Sequence, residues 1–255
     1  MKKFLLILLV LGLTAFLIVG CNVATPAEGE GEGEGEGEGE EEVARVVLVE
    51  LFNSSGCASC SVVEPYLEEI ALDAGYGRDK MVLVEEAGWG LNSTPETSAR
   101  YKWYLPNSGD RGTPNILING LNKKYHGDSG VNKSILMSKI DAQSNLEAKI
   151  KITATKTINA TSTIVSGNVT NISTSDLGNL VVTLMTYKNR AIQGFKYSVT
   201  NIVTEQIGSL TSSGTYAFSL TVNEPNWNIN GLDGVVLVQE TGTSKKEVLQ
   251  AFYVD

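Results

Sequence analysis

Along residues 46–145 the apolar positions fall into short continuous runs separated by segments of helical spacing. Val46 to Val49 is unbroken apolar sequence, the pattern of a strand buried on both faces. A polar loop follows from Asn53 to Gly56. Beyond it Val63, Tyr66, Leu67 and Ile70 recur at helical intervals that place them on one face. Met81 to Val84 predicts a second buried strand, and residues 95–104 predict a helix with Pro95 at its start. Asn115 to Ile118 reads as a strand closing in Asn119-Gly120, a strong hairpin signal, with Lys123 to His126 as the returning strand. A last helix is expected from Asp128 or Ser129 to about Ala142, with Val131, Ile135, Leu136 and Ile140 inward. The expected order is β, α, β, α, β, β, α.

From about residue 146 the pattern changes to strict alternation in a chain rich in Thr, Ser, Val, Ile and Asn. It is clear in Ala148-Ile150-Ile152-Ala154, in Leu180-Val182-Leu184 and in Phe218-Leu220-Val222. Apolar runs follow at Val235 to Val238 and Val248 to Val254. Turn signals stand between them at Ser166-Gly167-Asn168, Leu177-Gly178-Asn179, Ser213-Gly214 and Thr241-Gly242. Seven or so short strands in this length predict an antiparallel β-sandwich of immunoglobulin-like type over 146–255. The segment shows no Ser-His-acid set, metal cluster or phosphate loop.

The N-terminal pattern is different again. Lys2 and Lys3 precede an apolar run from Phe4 to Val19, the build of a secretory signal over residues 1–20. Ile18-Val19-Gly20-Cys21 resembles the lipobox of bacterial lipoproteins, which implies cleavage before Cys21 and lipidation of its sulfur. An uncleaved membrane-spanning helix is the alternative, since the run is about long enough. Both place the chain outside the cytoplasm and on a membrane. Residues 21–42 carry a Gly-Glu repeat, Glu28 to Glu42, without apolar content, which predicts a solvated tether rather than a packed element. Its nine glutamates equal the whole formal net charge of −9, so residues 43–255 are close to neutral. No basic patch recommends nucleic acid.

Cys57 and Cys60 stand where the first strand hands over to the first helix. Unsatisfied N–H groups and the positive end of the helix dipole stabilise a thiolate there. With Cys21 lipidated they are the remaining thiols, and at this spacing in an oxidising compartment they form a disulfide or a redox couple. A structural zinc site wants four N/S ligands, more than two cysteines and one histidine supply. No metal and no cofactor is expected.

These features together resemble the thioredoxin fold over 43–145: CxxC after the first strand, Thr113-Pro114 just before the third, and an Asn-Gly hairpin after it. Pro65 is similar to the proline of the active-site helix in that family, and Glu50 to its buried acid. The resemblance implies a cis Thr113-Pro114 bond facing the disulfide and lining a groove for an extended substrate. It also implies that Cys57 attacks a substrate disulfide, that Cys60 resolves the mixed disulfide, and that Glu50 shuttles a proton to Cys60. The Trp-Cys-Gly-Pro-Cys of many members is replaced by Gly56-Cys57-Ala58-Ser59-Cys60, and the loop before Pro114 is long. The acidic neighbours Glu64, Glu68 and Glu69 argue for a reductant or isomerase over a strong oxidant. His126 either tunes Cys57 or is a surface histidine without a role. Trp89 and Trp103 read as core or groove-lining residues.

The whole layout is similar to a family of bacterial outer-membrane-associated lipoproteins with a thioredoxin-like domain and a C-terminal β-sandwich. Trp227, Gly234 to Gln239 and Lys246 to Ala251 match its tail. The expected fold class is therefore an α/β thioredoxin-like domain, a mixed sheet flanked by helices, followed by an all-β immunoglobulin-like sandwich. The expected function is a membrane-tethered, extracytoplasmic thiol–disulfide oxidoreductase, with protein dithiols or disulfides as substrates and a redox protein as partner. The competing reading is a surface binding or scaffold lipoprotein in which Cys57–Cys60 is a structural disulfide.

Overall fold

The computed structural model describes residues 43–190 and 195–254. The signal segment, Cys21 and the Gly-Glu tether lie outside the described residues. Among the described residues, no helix is long and apolar enough to cross a membrane.

The first part of the chain builds its elements in the expected order. They are β1 (Val47–Asn53), α1 (Cys60–Ala71), β2 (Met81–Ala87), α2 (Pro95–Tyr104), β3 (Asn115–Ile118), β4 (Lys123–His126) and α3 (Lys133–Ser144). Cys60, Val63, Leu67 and Ile70 form the buried face of α1. A reciprocal pair of hydrogen bonds between Thr94 and Thr97 caps α2, with Pro95 in its first turn. Asn132 caps α3, whose start is later than the apolar pattern suggests because Val131 packs inward from the preceding loop. The β3–β4 connection is a four-residue loop holding a 3-10 turn over Gly120–Asn122, and Asn119 and Gly120 both adopt positive φ in it.

The remaining strands are β5 (Ile150–Ile158), β6 (Thr163–Asn171), β7 (Leu177–Arg190), β8 (Phe195–Leu210), β9 (Thr215–Val222), β10 (Leu232–Glu240) and β11 (Val248–Val254). They do not form a separate sandwich. Strands from both parts of the chain join one eight-stranded mixed sheet, ordered β11-β10-β7-β8-β2-β1-β3-β4. Its seam is the parallel pairing of Glu85 in β2 with Ser198 in β8. β5, β6 and β9 form a second, three-stranded sheet. Its apolar face packs on the large sheet through Val165, Val169, Phe218 and Leu220 against Leu180, Val182 and Val236, with Trp227 of the β9–β10 connection in the same core.

This corrects the expected fold class, because the first sheet is not flanked by helices on both faces. On one face α1 and α3 cover Val47, Val49, Leu51, Leu83 and Ile116. On the other, Leu48, Val82 and Val84 are covered by Met185, Tyr187, Val235, Leu237, Val248 and Ala251. A β layer stands where a second helical layer was expected, and α2 covers only the end of that face, over Phe52 and Leu117. Polar ties reinforce the junction. Arg45 pairs with Glu247 at 2.6 Å, and Val46 N–H donates to Gln250 Oε1 at 2.7 Å. The hairpin tip closes on the β10–β11 turn, so tightly that a Cβ on Gly120 would lie 2.1 Å from the Lys246 carbonyl oxygen.

Two turn assignments also change. Ser166-Gly167-Asn168 is the middle of β6, hydrogen-bonded to β5 and β9 on both sides. Gly167 is there because the β5 backbone passes too close for a side chain, its Cβ position lying 1.8 Å from the Thr153 carbonyl oxygen. Leu177-Gly178-Asn179 opens β7 as an irregularity in the ladder.

Candidate functional site at the Cys57–Cys60 pair

β1 ends at Asn53, the loop Ser54 to Gly56 turns with Gly56 at positive φ, and α1 begins at Cys60. Cys57 and Cys60 are disulfide-bonded, with Cα atoms 5.2 Å apart. The Cys60 N–H points at Cys57 Sγ at 3.1 Å, so one free amide of the helix start is directed at that sulfur. Cys60 is 2% exposed, whereas Cys57 is half-buried. The pair opens into a pocket of about 350 Å³ lined by Ser54, Ser55, Ala58, Ser61, Glu64 and Phe195.

Thr113-Pro114 is cis. Thr113 Oγ1 lies 2.9 Å from Ser54 Oγ, which joins the proline loop to the cysteine loop. Asn115, fully buried at the start of β3, braces that loop by donating to the Gly112 carbonyl at 2.6 Å. Tyr101 OH donates to the same carbonyl at 2.6 Å. His126 is exposed on β4, against Gly112, with Nδ1 3.3 Å from Asn115 Oδ1. It supports the far side of the proline loop.

Glu50 is fully buried, but its ties run toward α2. Its carboxylate pairs with Arg100 Nε at 2.5 Å and accepts from Tyr104 OH at 2.7 Å. Gln239 of β10 donates to Tyr104 OH at 2.7 Å, and Glu86 Oε1 lies 3.6 Å from Arg100 Nε. Along β1 the residues on either side of Glu50, Val49 and Leu51, face α1, so alternation sends Glu50 to the opposite face of the sheet. The structure therefore ties the Thr113-Pro114 loop to the cysteine loop through Ser54 and sets Glu50 in a different cluster. Within that cluster Glu86 is held well above the ordinary carboxylate range by burial and by Glu50. Burial works against the charged form of Arg100, yet Glu50, Tyr104 and Glu86 outweigh it and raise its pKa.

Sequence reasoning missed Arg100, Glu86 and Phe195, and reads Glu64 only as an acidic neighbour of the cysteines. A signal existed for Glu85-Glu86, two acids inside an otherwise apolar strand. Another existed for Glu64, four residues after Cys60 and so on the same helix face. Glu64 Oε1 accepts from Asn53 Nδ2 at 3.0 Å, and burial raises its pKa, against the opposing Asn53 bond and with a further push from Glu68. Behind it on β2, Glu85 is 1% exposed and accepts from Tyr197 N–H at 2.9 Å. Burial pushes its pKa up to about 8. Among the described residues, no group of three His, Cys, Asp or Glu side chains converges as a metal site would.

No protein-family model matches the chain, and no curated protein matches it. Among solved structures it is similar to HBP35 of Porphyromonas gingivalis, with TM-score 0.69 and 13% identity over 82% of this chain and 74% of that one. It is also similar to a structural-genomics target from Agrobacterium tumefaciens, with TM-score 0.54 and 18% identity over 82% of this chain and 93% of the other. A domain of the outer membrane lipoprotein Omp28 of Porphyromonas gingivalis matches 42% of this chain and 88% of its own at TM-score 0.32 and 17% identity, too low to argue from. The first two likenesses show a related fold and nothing finer.

Proposed function

We propose that the protein is an extracytoplasmic thiol–disulfide oxidoreductase, tethered to a bacterial membrane through Cys21, that exchanges protein disulfides through Cys57 and Cys60. The observation that carries this reading is the asymmetry of the pair. One sulfur is accessible at a helix start and receives an amide N–H, its partner is buried one turn behind, and a polar pocket opens on both. That is the arrangement exchange needs. A reduced Cys57 thiolate attacks a substrate S–S bond and forms a mixed disulfide. Cys60 then attacks Cys57 Sγ, the substrate leaves as a dithiol, and the Cys57–Cys60 bond is restored. A partner dithiol protein returns the pair to the reduced state. Thr113-Pro114, tied to the cysteine loop through Ser54, forms the adjoining wall against which an extended substrate lies.

The test is the reduction potential of the pair in the full-length protein, set against glutathione or dithiothreitol buffers and read by thiol alkylation. A value between about −120 and −270 mV, the span of known exchange catalysts, supports the reading. A value well below about −300 mV, with Cys57 unreactive once reduced, makes the disulfide a structural staple and moves the function to binding or scaffolding.

A further inference from the structure

We propose that Glu64 is the carboxylate that exchanges a proton with Cys60 during disulfide exchange, in a pocket whose wall is completed by Phe195 from the β8 strand. The inference rests on the redox reading of Cys57 and Cys60 given above.

Three observations converge on Glu64. It follows Cys60 by one helical turn, and its side chain lines the same pocket as both cysteines. Its carboxylate is held in place by a residue of another element, since Asn53, fully buried at the end of β1, donates to Oε1 at 3.0 Å. The strand acid Glu50 is committed elsewhere, with one oxygen on Arg100 and the other on Tyr104, on the opposite face of the sheet.

Phe195 makes the pocket a joint product of the two parts of the chain. It is 4% exposed and closes the pocket from the β8 side. The charged groups that face Glu64 come from three elements. Glu68 lies one turn along α1 and is tied to Lys196 of β8. Glu85 lies on β2, beside Tyr197. Burial raises the Glu64 pKa above the ordinary carboxylate value, against the opposing Asn53 bond and with a further push from Glu68.

In the mixed disulfide between Cys57 and substrate, Glu64 takes the proton from the Cys60 thiol, directly or through one water. The Cys60 thiolate attacks Cys57 Sγ, and the Cys57–Cys60 bond forms as the Cys57–substrate bond breaks. The electron pair of the broken bond stays on the substrate sulfur, which takes a proton from Glu64 or from solvent.

The experiment mixes the reduced full-length protein with one equivalent of 5,5′-dithiobis(2-nitrobenzoate) and follows thiolate release by stopped flow. The first equivalent reports attack by Cys57, and the second reports resolution by Cys60. In the wild type the second phase should rise with pH through an inflection above 4.5, the ordinary value for glutamate. Glu64→Gln should slow that phase by about tenfold or more at pH 6 and remove the inflection, while the first phase stays within about twofold. Glu64→Asp should restore an inflection. Phe195→Ala, which admits water, should shift the inflection toward 4.5 without abolishing it. A second phase in Glu64→Gln equal to wild type from pH 5 to 8 overturns the role of Glu64 and leaves the redox reading standing. If Glu64→Gln does not fold, an inflection unmoved in both other variants overturns it instead. A wild type that releases no first equivalent defeats the redox reading, and this proposal with it.

Discussion

Replacing Glu85 with glutamine should stabilise the protein at pH 8.5 and leave it nearly unchanged at pH 5. Glu85 is 1% exposed in β2, with Oε2 on the Tyr197 N–H and, among the described residues, no hydrogen-bond partner for Oε1. Burial raises its folded pKa from 4.5 to about 8, against the opposing Tyr197 bond and with Glu64 and Glu68 adding to the rise. Between those two values the folded protein holds a proton that the unfolded chain has released. Stability is then complete below about pH 4.5 and falls as pH rises, by about 1.4 kcal/mol per unit, until about pH 8. The width of that window sets a ceiling near 5 kcal/mol, comparable with the whole stability of many domains.

Glutamine has nearly the shape of the protonated acid and no charge to desolvate. The unpaired atom at Oε1 costs both proteins alike at pH 5, so the difference between them as a function of pH isolates the charge. Even half the ceiling would raise Tm by about 5–10 °C in a chain of this size. Thermal unfolding by circular dichroism at pH 5, 6, 7 and 8.5 reads it directly. A Tm difference that is flat across that range would show that Glu85 is ionised or solvated in the fold, and the reasoning from burial would fail.

Two further variants test the packing that places the site. Arg100→Met leaves Glu50 and Glu86 facing each other without their cation, and should cost about 3–5 kcal/mol in urea unfolding at pH 7. A loss below about 1 kcal/mol would mean the pair is solvated. Gly167→Ala drives a methyl group into the Thr153 carbonyl and should destabilise by about 3 kcal/mol, whereas an alanine tolerated without loss would mean β5 and β6 are spaced more widely than described.

The local elements were legible because each carries its own period or cap. Val63, Leu67 and Ile70 announce α1, Asn119-Gly120 announces the hairpin, and the cysteines stand where a strand meets a helix. The union of the sheet was not legible. Leu48, Val82 and Val84 show that a second face is buried, but an apolar run says nothing about whether helix or strand covers it. β8 is not legible because its Phe195–Leu210 sequence changes surroundings along its length, buried at Phe195 and Val199 and alternating between exposed and half-buried from residue 204 to 208. Gly167 reads as a turn in the sequence because glycine marks both a turn and a close crossing of two backbones, and only the neighbouring strand distinguishes them.

The same limit governs the acid beside the cysteines. Alternation along β1 already fixes Glu50 on the face opposite Val49 and Leu51, and those two pack on the helix that carries Cys60. A strand residue of that parity cannot also face the helix, whatever its spacing from Cys57 in sequence. Glu64 meets the geometric condition instead, because a residue four positions after Cys60 must share its helix face. Counting parity on the strand and turns on the helix therefore selects between the two acids, once it is known that α1 packs on the Val49 and Leu51 side. That side is chosen by the β layer of Met185, Val235 and Leu237, which occupies the other face, so the chemistry around Cys60 depends on strands more than a hundred residues away.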